Sequence, residues 1–304
     1  MAQSATSVGK AQQPPASQAP AQWQTSRFLI DLNRPQVMGI VNVTPDSFSD
    51  AGQHASTRAA LQHCEQLLND GAHMLDIGGE SSRPGAAPVP LADELARVLP
   101  VVQGAVKLGV PVSVDTYKPE VMQAVLDAGA DIINDIWAFR QPGAGQMVAR
   151  YPLCGLVLMH MHRNPQTMQT TPMECADVVA QVAVDLLSFC ELLPQYSPRL
   201  TANNAYKNRM VLDPGIGFGK TVAQNFALLA RQAELLRLGY PLLAGWSRKS
   251  SLGAATGLEP AQRMVPSVAA ALLAVQRGAS VVRVHDVRET VQALQVWQAV
   301  QAAL

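Results

Sequence analysis

The sequence predicts an α/β protein, a single (β/α)8 barrel, and three observations lead to that fold. The chain of 304 residues is 48 % hydrophobic, enough for a large core. Short apolar segments alternate with amphipathic helical segments over about 275 residues, close to the ~250 residues typical of such barrels. A polar residue ends or follows each apolar segment, and the carboxyl ends of barrel strands are where ligands bind.

Eight apolar segments are predicted to be strands, because parallel strands buried on both faces are continuous apolar runs. They are Val37–Val43, Met74–Ile77, Val112–Val114, Ile132–Ile136, Leu156–Met159, Met210–Leu212, Leu242–Ala244 and Val281–Val284. The segments between and after them have apolar residues at helical spacing. The predicted helices include Arg58–Leu68, Leu91–Lys107, Glu120–Leu126, Ala176–Leu193, Asn225–Leu238, Ser267–Arg277 and Arg288–Ala303.

The first part of the chain differs in composition from the rest. Residues 1–26 are dominated by Ala, Gln, Pro and Ser, and Lys10 is their only charge. Such a segment has little apolar surface to bury. We therefore expect a disordered tail over residues 1–26 and one folded domain over residues 27–304.

Charge and hydropathy argue against several classes of protein. Lys+Arg 23 balance Asp+Glu 23, so the basic surplus of a nucleic-acid-binding protein is missing. No apolar run reaches the roughly 18 residues of a membrane span, and the amino terminus lacks the basic-then-apolar order of a secretory signal. The 4 cysteines have no CxxC spacing, which indicates neither a zinc knuckle nor a disulfide framework. We expect a cytoplasmic protein with no membrane or nucleic-acid partner.

A weak internal repeat places polar side chains at equivalent points of three strands. In each copy a Gly-Ala pair ends a helix and opens a strand, and a polar residue stands five positions after the glycine. The glycines are Gly71, Gly129 and Gly278, and the polar residues are Asp76, Asn134 and Arg283. The repeat therefore predicts that these three side chains converge at the carboxyl end of the barrel.

The whole set of polar residues at the strand ends indicates the chemistry of a ligand. The set is Asn42, Asp76, Asp115, Asn134, Asp135, His160, Asp213, Ser247, Arg248, Lys249, Arg283 and His285. Burying such groups without a partner is costly, so a ligand or an opposite charge is expected to meet them.

Acceptors and cations are both present in this set. Asp115, Asn134 and Asp213 suit the N–H edge of a planar heterocycle. The cations Lys249, Arg283 and His285, with Arg83 from the loop after the second strand, suit an anion such as phosphate. A heterocycle joined to a phosphate is the simplest ligand that satisfies both groups.

The run from Asp213 to Thr221 is rich in glycine but matches no nucleotide-binding motif. A P-loop requires glycine where Pro214 stands, and the dinucleotide fingerprint requires glycine where Lys220 stands. We interpret the run as a loop that lets Asp213 and Phe218 approach a ligand closely.

Three further polar residues have ambiguous roles. His160 and His162 have no third metal ligand near them in the sequence, so a core or loop role is favoured over metal binding. Asp76 suits a ligand contact and a structural loop role equally, because Gly78 and Gly79 follow it closely.

Eight motifs in order resemble bacterial dihydropteroate synthase, from about residue 36 to the end. They are MGIVNVTPDSFSD (38–50), GGESSRPGA (78–86), VSVDTYKPEV (112–121), INDI (133–136), LMHM (158–161), LDPGIGFGK (212–220), SRKS (247–250) and RVHDV (283–287). The resemblance implies a transferase of folate biosynthesis. Its substrates would be the small molecules dihydropterin methyl diphosphate and 4-aminobenzoate, its products dihydropteroate and diphosphate, and its cofactor Mg²⁺.

The resemblance also implies a role for each matching residue. Asn42 would hold the Mg²⁺ bound to the diphosphate. The pterin would contact Asp115, Asn134, Asp213, Lys249 and Met159, the diphosphate would contact Arg283 and His285, and the aminobenzoate would contact Ser250 and Phe218. Loop one with Asp46, and loop two with Ser82, Arg83 and Pro84, close over the site in that family. The implied catalytic set is Asp46, Arg83, Lys249, Arg283 and His285.

Three residues depart from the family pattern. Ser82 stands where Thr is common and keeps the hydroxyl, whereas Tyr117 replaces a common Ser and Trp246 a smaller apolar residue. The latter two are expected to change the shape of nearby loops. The family also commonly pairs through its last two helices, so the resemblance implies a homodimer.

Two other functions remain open. A pterin-binding methyltransferase relative has a similar barrel but no diphosphate site, so Arg83 and Lys249 favour the synthase. An inactive barrel kept as a binding subunit is disfavoured by the intact Asn42, Asp213 and Arg283.

Overall fold

The barrel is seen in a computed structural model that describes residues 19–44, 52–81, 86–164, 167–168, 170–196 and 206–303. The strands of these residues are β1 (Gln22–Gln24), β2 (Leu29–Asp31), β3 (Gln36–Asn42), β4 (Met74–Gly78), β5 (Val112–Asp115), β6 (Ile132–Asp135), β7 (Gly155–Met159), β8 (Met210–Asp213), β9 (Leu242–Ala244) and β10 (Ala279–Val284). The helices are α1 (Gly52–Asn69), α2 (Leu91–Ala105), α3 (Pro119–Asp127), α4 (Ala144–Ala149), α5 (Val178–Cys190), α6 (Leu192–Tyr196), α7 (Val222–Ala230), α8 (Ser250–Thr256), α9 (Met264–Gln276) and α10 (Val287–Gln301).

Strands β3 to β10 form the closed parallel barrel that the sequence predicts. Each strand pairs with its neighbour in chain order, and β10 returns to β3 to close the ring. The register aligns Asn42 of β3 with Gly78 of β4, and Gly78 with Asp115 of β5. The polar ends of successive strands therefore meet at one mouth.

Glycine ends the helices at the three places where the repeat predicts a left-handed cap. Gly71, Gly129 and Gly278 have φ angles of 99°, 99° and 89°, which residues other than glycine adopt only at an energetic cost. The reversal lets the chain enter the next strand at once. The repeat thereby sets the strand register that brings Asp76, Asn134 and Arg283 to the same end of the barrel.

The opposite end of the barrel interior is apolar. The side chains that fill it come from seven strands and are Met38, Met74, Ile132, Val157, Val211, Leu243 and Val281. The Trp23 ring packs against this layer and is 0 % exposed. Its indole Nε1 donates a hydrogen bond to the backbone oxygen of Arg209 at 2.8 Å. Trp23 thus closes the amino-terminal end of the barrel.

The structure corrects the predicted boundary of the tail at residue 26. Strands β1 and β2 form an antiparallel hairpin, and Arg27 Nη2 lies 2.6 Å from Asp131 Oδ2 at the start of β6. The boundary was wrong because Trp23 is a single large apolar anchor in a segment that is otherwise polar. Residues 1–18 lie outside the described part of the chain.

One outer segment is long and apolar enough to span a membrane by length and composition alone. It covers 19 residues, Val178–Tyr196, which are α5 and α6. Val179, Val182 and Leu186 of α5 are buried in the core cluster between helices and barrel. One side of α5 therefore packs in the core of the barrel, although the segment has a length and composition that the sequence analysis expected no segment to have.

Candidate active site

Asp76 joins two of the strand-end residues through a single oxygen. Its Oδ2 accepts hydrogen bonds from Arg283 Nε at 2.6 Å and from Asn134 Nδ2 at 3.1 Å. Asp76 is 0 % exposed, and the three side chains come from β4, β10 and β6. Two of the three positions that the repeat singles out, Asn134 and Arg283, therefore both bind the third, Asp76.

Arg283 is held by a second carboxylate. Its Nη2 donates to Asp115 Oδ2 at 2.9 Å, so the guanidinium bridges the interior of β4 and the end of β5. Burial raises the pKa of the Asp115 carboxyl, and the Arg283 charge opposes that rise. Burial lowers the pKa of Arg283, but the two carboxylates outweigh this and hold it above its usual value. Arg283 stays charged and fixed in orientation.

Asp213 ends β8, and the glycine-rich loop that follows binds its carboxylate. Its Oδ1 accepts a hydrogen bond from the Gly215 amide at 2.7 Å, while Oδ2 has no hydrogen-bond partner among the described residues. Burial raises the pKa of Asp213, and the Gly215 bond and the nearby Lys249 charge oppose the rise. The carboxylate therefore keeps acceptor capacity for a ligand.

The loop after Asp213 requires its glycines. Gly215, Gly217 and Gly219 have φ angles of 68°, 83° and 72°. A Cβ atom on Gly215 would lie 1.8 Å from the backbone oxygen of His160, far inside van der Waals contact. The loop thus packs against the end of β7, and this close approach holds Asp213 and Phe218 in place.

Lys220 holds the same loop through hydrogen bonds from its buried ammonium, a role that the sequence analysis missed. Its buried Nζ donates to the backbone oxygens of Gly215 at 2.8 Å, Phe218 at 3.2 Å and His160 at 3.3 Å. Burial lowers the pKa of Lys220 to about 7. The only sequence signal is a lysine at the end of a glycine-rich run, which does not reveal that its ammonium turns back into the loop.

Lys249 stands just before α8 and faces the same pocket. Its Nζ lies 4.1 Å from the centroid of the Phe218 ring, within the distance of a cation–π contact. Burial lowers the pKa of Lys249 to about 8, and Asp213 opposes the fall. Ser250, the first residue of α8, is exposed at the rim.

His285 follows β10 and is positioned by Ser247. The Ser247 hydroxyl lies 3.0 Å from His285 Nδ1 and accepts the His285 amide at 3.1 Å. The next residue, Arg248, has a φ of 59° and pairs with Asp286 at 2.6 Å. This contact ties the loops after β9 and β10 together and aims Lys249 and His285 at the same mouth.

An apolar cluster borders these polar groups. It contains Ile136, Met159, Met161, Met168 and Phe218, with Tyr117 and Trp137 packed against it. The Tyr117 and Trp137 rings meet edge to face with centroids 5.7 Å apart, and the Tyr117 hydroxyl donates to Glu80 Oε1 at 2.8 Å. A flat aromatic ligand would therefore have polar partners at its edge and apolar contact on its face.

Two strand-end residues bind other groups of the protein. Asp135 accepts hydrogen bonds from the amides of Trp137 and Phe139, both at 2.8 Å, and so shapes the loop after β6. His160 Nε2 lies 3.0 Å from Asp185 Oδ2 on α5, and burial lowers its pKa to about 4. His160 takes the core role that the sequence analysis favours.

Trp246 lies away from the pocket. It is buried in the core cluster between barrel and helices, with its ring centroid 5.5 Å from that of Phe226 on α7. Its large side chain thus fills the space between β9 and α7. Asp46, Ser82, Arg83 and Pro84 lie outside the described residues.

Asn42 supplies the one predicted metal ligand among the described residues. It is half-buried at the end of β3 and aligned through Gly78 of β4 with Asp115 of β5. The described residues contain no group of three or more His, Cys, Asp or Glu side chains that would hold a metal. Mg²⁺ commonly takes only one or two protein oxygens and completes its shell with phosphates and water. A single amide oxygen at the mouth fits that mode.

Comparison with known proteins identifies the family. A family model described as pterin binding enzyme matches residues 38–285. The dihydropteroate synthase of Escherichia coli K12 is 45 % identical over 280 residues, covering 90 % of this chain and 94 % of its own.

Two solved structures share both fold and sequence with this chain. The Burkholderia cenocepacia dihydropteroate synthase complexed with 7,8-dihydropteroate is 49 % identical, with a TM-score of 0.83 and coverage of 93 % of this chain and 98 % of the other. The Xanthomonas albilineans dihydropteroate synthase with 4-aminobenzoic acid is 50 % identical, with a TM-score of 0.82 and the same coverage, 93 % and 98 %. The chain, with its barrel and its ring of acceptors and cations at the carboxyl mouth, belongs to the dihydropteroate synthase family of transferases in folate biosynthesis.

Proposed function

We propose that this protein condenses (7,8-dihydropterin-6-yl)methyl diphosphate with 4-aminobenzoate to give 7,8-dihydropteroate and diphosphate. One observation carries the proposal: the cations Lys249 and Arg283 lie close enough to the buried acceptor Asp213 for their charges to act on it at the barrel mouth. A heterocycle with an N–H edge and an attached anion satisfies both kinds of group. The family membership supports the same reaction.

Asp213 recognises the pterin ring. Its carboxylate accepts the N–H groups at the 2-amino and N3 positions in parallel, a pattern that rejects rings without the amine. Lys249 donates to the carbonyl side of the ring. Asp115 and Asn134 accept hydrogen bonds along the remaining edge, Asn134 through its amide oxygen because its NH₂ group donates to Asp76. Met159 packs against the ring in the apolar cluster.

Arg283 and His285 bind the diphosphate. The bond between the pterin methylene carbon and the diphosphate oxygen breaks with its electron pair leaving on oxygen, and fixed cations stabilise that developing charge. The aminobenzoate nitrogen then forms the new bond to carbon and gives up a proton. Phe218 and Ser250 border the aminobenzoate, so that its amine meets the methylene carbon.

Asn42 would hold Mg²⁺ through its amide oxygen. The metal would neutralise charge on the leaving diphosphate. On the resemblance alone, we assign Asp46, Ser82, Arg83 and Pro84 to the two loops that close over the bound substrates.

A homodimer forms through the last two helices. Val265 on α9 and Val296 and Val300 on α10 are exposed by 69 %, 67 % and 55 %, which leaves an apolar face to be covered. The substitution Val296→Glu should shift the mass in light scattering from dimer to monomer. Val184→Glu, at a valine of α5 exposed by 63 %, is the matched control and should leave the dimer intact. We place the assembly in the cytoplasm, as the sequence analysis expects.

The decisive experiment measures diphosphate release by the purified protein with the dihydropterin methyl diphosphate and Mg²⁺, with and without 4-aminobenzoate. Release that depends on the aminobenzoate and yields dihydropteroate supports the synthase. If pterin binds but no diphosphate is released, the protein is a binding subunit. Methyl transfer from a methyltetrahydrofolate would assign it to the methyltransferase relatives.

A further inference from the structure

Asp76 is a buried charge that the proposed reaction leaves without a role. It lies in the interior of β4, 0 % exposed, between the apolar residues Leu75 and Ile77. Its Oδ1 is buried without a hydrogen-bond partner among the described residues. A carboxylate here is costly to bury, and an apolar residue of similar size often replaces a buried ion pair without loss of stability. Barrel stability alone therefore does not explain it.

The contacts of Asp76 point to the pocket. The same oxygen, Oδ2, accepts from Arg283 Nε at 2.6 Å and from Asn134 Nδ2 at 3.1 Å. The Arg283 bond removes the rotational freedom of the guanidinium, since Nη2 is bound to Asp115 at the same time. The Asn134 bond decides which end of the amide faces the pocket, because only its NH₂ group can donate.

We propose that Asp76 is a positioning residue of the transferase reaction, which holds the Arg283 guanidinium and the Asn134 amide in their binding orientations. This inference rests on the proposed function. Asp76 acts through those two side chains, whose polar groups are oriented before the substrate arrives. Preorganised donors cost no reorganisation during the reaction.

The test is a double-mutant cycle with Asp76→Asn and Arg283→Gln. In the wild-type background, Asp76→Asn should lower kcat/KM for the pterin diphosphate by about tenfold or more. In the Arg283→Gln background, the same substitution should cost less than about threefold, because the guanidinium that Asp76 orients is gone. Equal losses in both backgrounds would overturn the role through Arg283.

Asp131→Asn is the matched control. Asp131 is also a carboxylate that is 0 % exposed and paired with an arginine, Arg27, but it lies at the opposite end of β6. Its substitution should lower the melting temperature and change kcat/KM by less than about twofold. If Asp76→Asn behaves like this control, Asp76 has a structural role only.

A pH profile provides a second readout that a structural role would not move. The charged groups that act on Asp115 are Arg283, Asp76, Glu94 and Lys249, and the negative charge of Asp76 raises the pKa of Asp115. Removing that charge should shift the acid limb of kcat/KM to lower pH. An unshifted limb would contradict the electrostatic coupling of Asp76 to Asp115.

Asp76→Ser replaces the first variant if Asp76→Asn does not fold, because its small hydroxyl leaves no amide to bury. Failure of both variants to fold would assign Asp76 to stability and overturn the proposal. Turnover of the wild-type protein is measured first. Its absence would reject the proposed function. Its presence together with additive effects of the two substitutions would reject only the positioning role of Asp76.

Discussion

The ammonium of Lys249 lies 4.1 Å from the centroid of the Phe218 ring. The two residues come from different loops, one leading into α8 and the other lying in the glycine-rich run after β8. Their contact brings the pterin side and the aminobenzoate side of the proposed pocket together. A change at Lys249 is therefore expected to affect both substrates.

Lys249→Ala should raise the KM for both substrates by about tenfold while the fold stays intact. The ammonium supplies a donor to the pterin carbonyl, and its stem holds the Phe218 ring in place. Steady-state kinetics with each substrate varied in turn measures the effect. Lys107→Ala, at an exposed lysine of the turn Val106–Leu108, is the control. Unchanged KM values in Lys249→Ala would reject the assigned role.

The affinity for the pterin diphosphate should fall as the pH rises through about 8, the pKa to which burial lowers Lys249. Below that pH the ammonium is charged and attracts the anionic substrate, and above it the amine is neutral. The kcat/KM profile reports this group in the free enzyme. Lys249→Arg should remove the alkaline limb, because a guanidinium stays charged throughout. A limb that persists in this variant belongs to another group.

Gly215→Ala should reduce kcat/KM and the melting temperature together. The new Cβ would lie 1.8 Å from the His160 oxygen, at a φ of 68°, so the loop must move and displace Asp213. Gly109→Ala is a matched control, because Gly109 has a similar φ of 75° but its Cβ would meet no described atom within 4 Å. The control should cost only the ~1 kcal/mol of a left-handed alanine and leave kcat/KM unchanged. Equal kinetic losses in both would contradict a close-packing role.

Asn42→Ala should weaken Mg²⁺-dependent binding of diphosphate far more than binding of the bare pterin. Asn42 offers an amide oxygen at the end of β3, on the diphosphate side of the proposed site. Calorimetry with each ligand, with and without Mg²⁺, compares the two losses. Val184→Glu, at an exposed valine of α5, controls for nonspecific damage. Equal loss of both ligands would argue against metal binding by Asn42.

The barrel was predictable because its strands are apolar runs and its helix ends contain glycine. The spacing from Gly71 to Asp76 repeats at Gly129 and Gly278, so the sequence also predicts that three polar groups converge. The Trp23 hairpin was missed because one aromatic residue in a polar segment has no periodicity. Its burial depends on a space that exists only once the barrel is closed.

Side-chain direction after the strands was less predictable. Asp135 and His160 stand at strand ends like Asp115 and Asp213, yet the first binds loop amides and the second contacts Asp185 on α5. Lys220 likewise binds three backbone oxygens of neighbouring loops. Asp135 binds amides of its own loop, whose path the apolar pattern does not define. His160 contacts a residue 25 positions away and Lys220 one 60 positions away, which local sequence does not reveal.

The apolar layer that packs against Trp23 closes the amino-terminal end of the barrel interior. Among the described residues that end is filled by apolar side chains, so ligands of the proposed site would reach it from the end where Asn42, Lys249 and His285 lie. Under the proposed function we therefore expect an order of binding, in which the pterin substrate enters before 4-aminobenzoate.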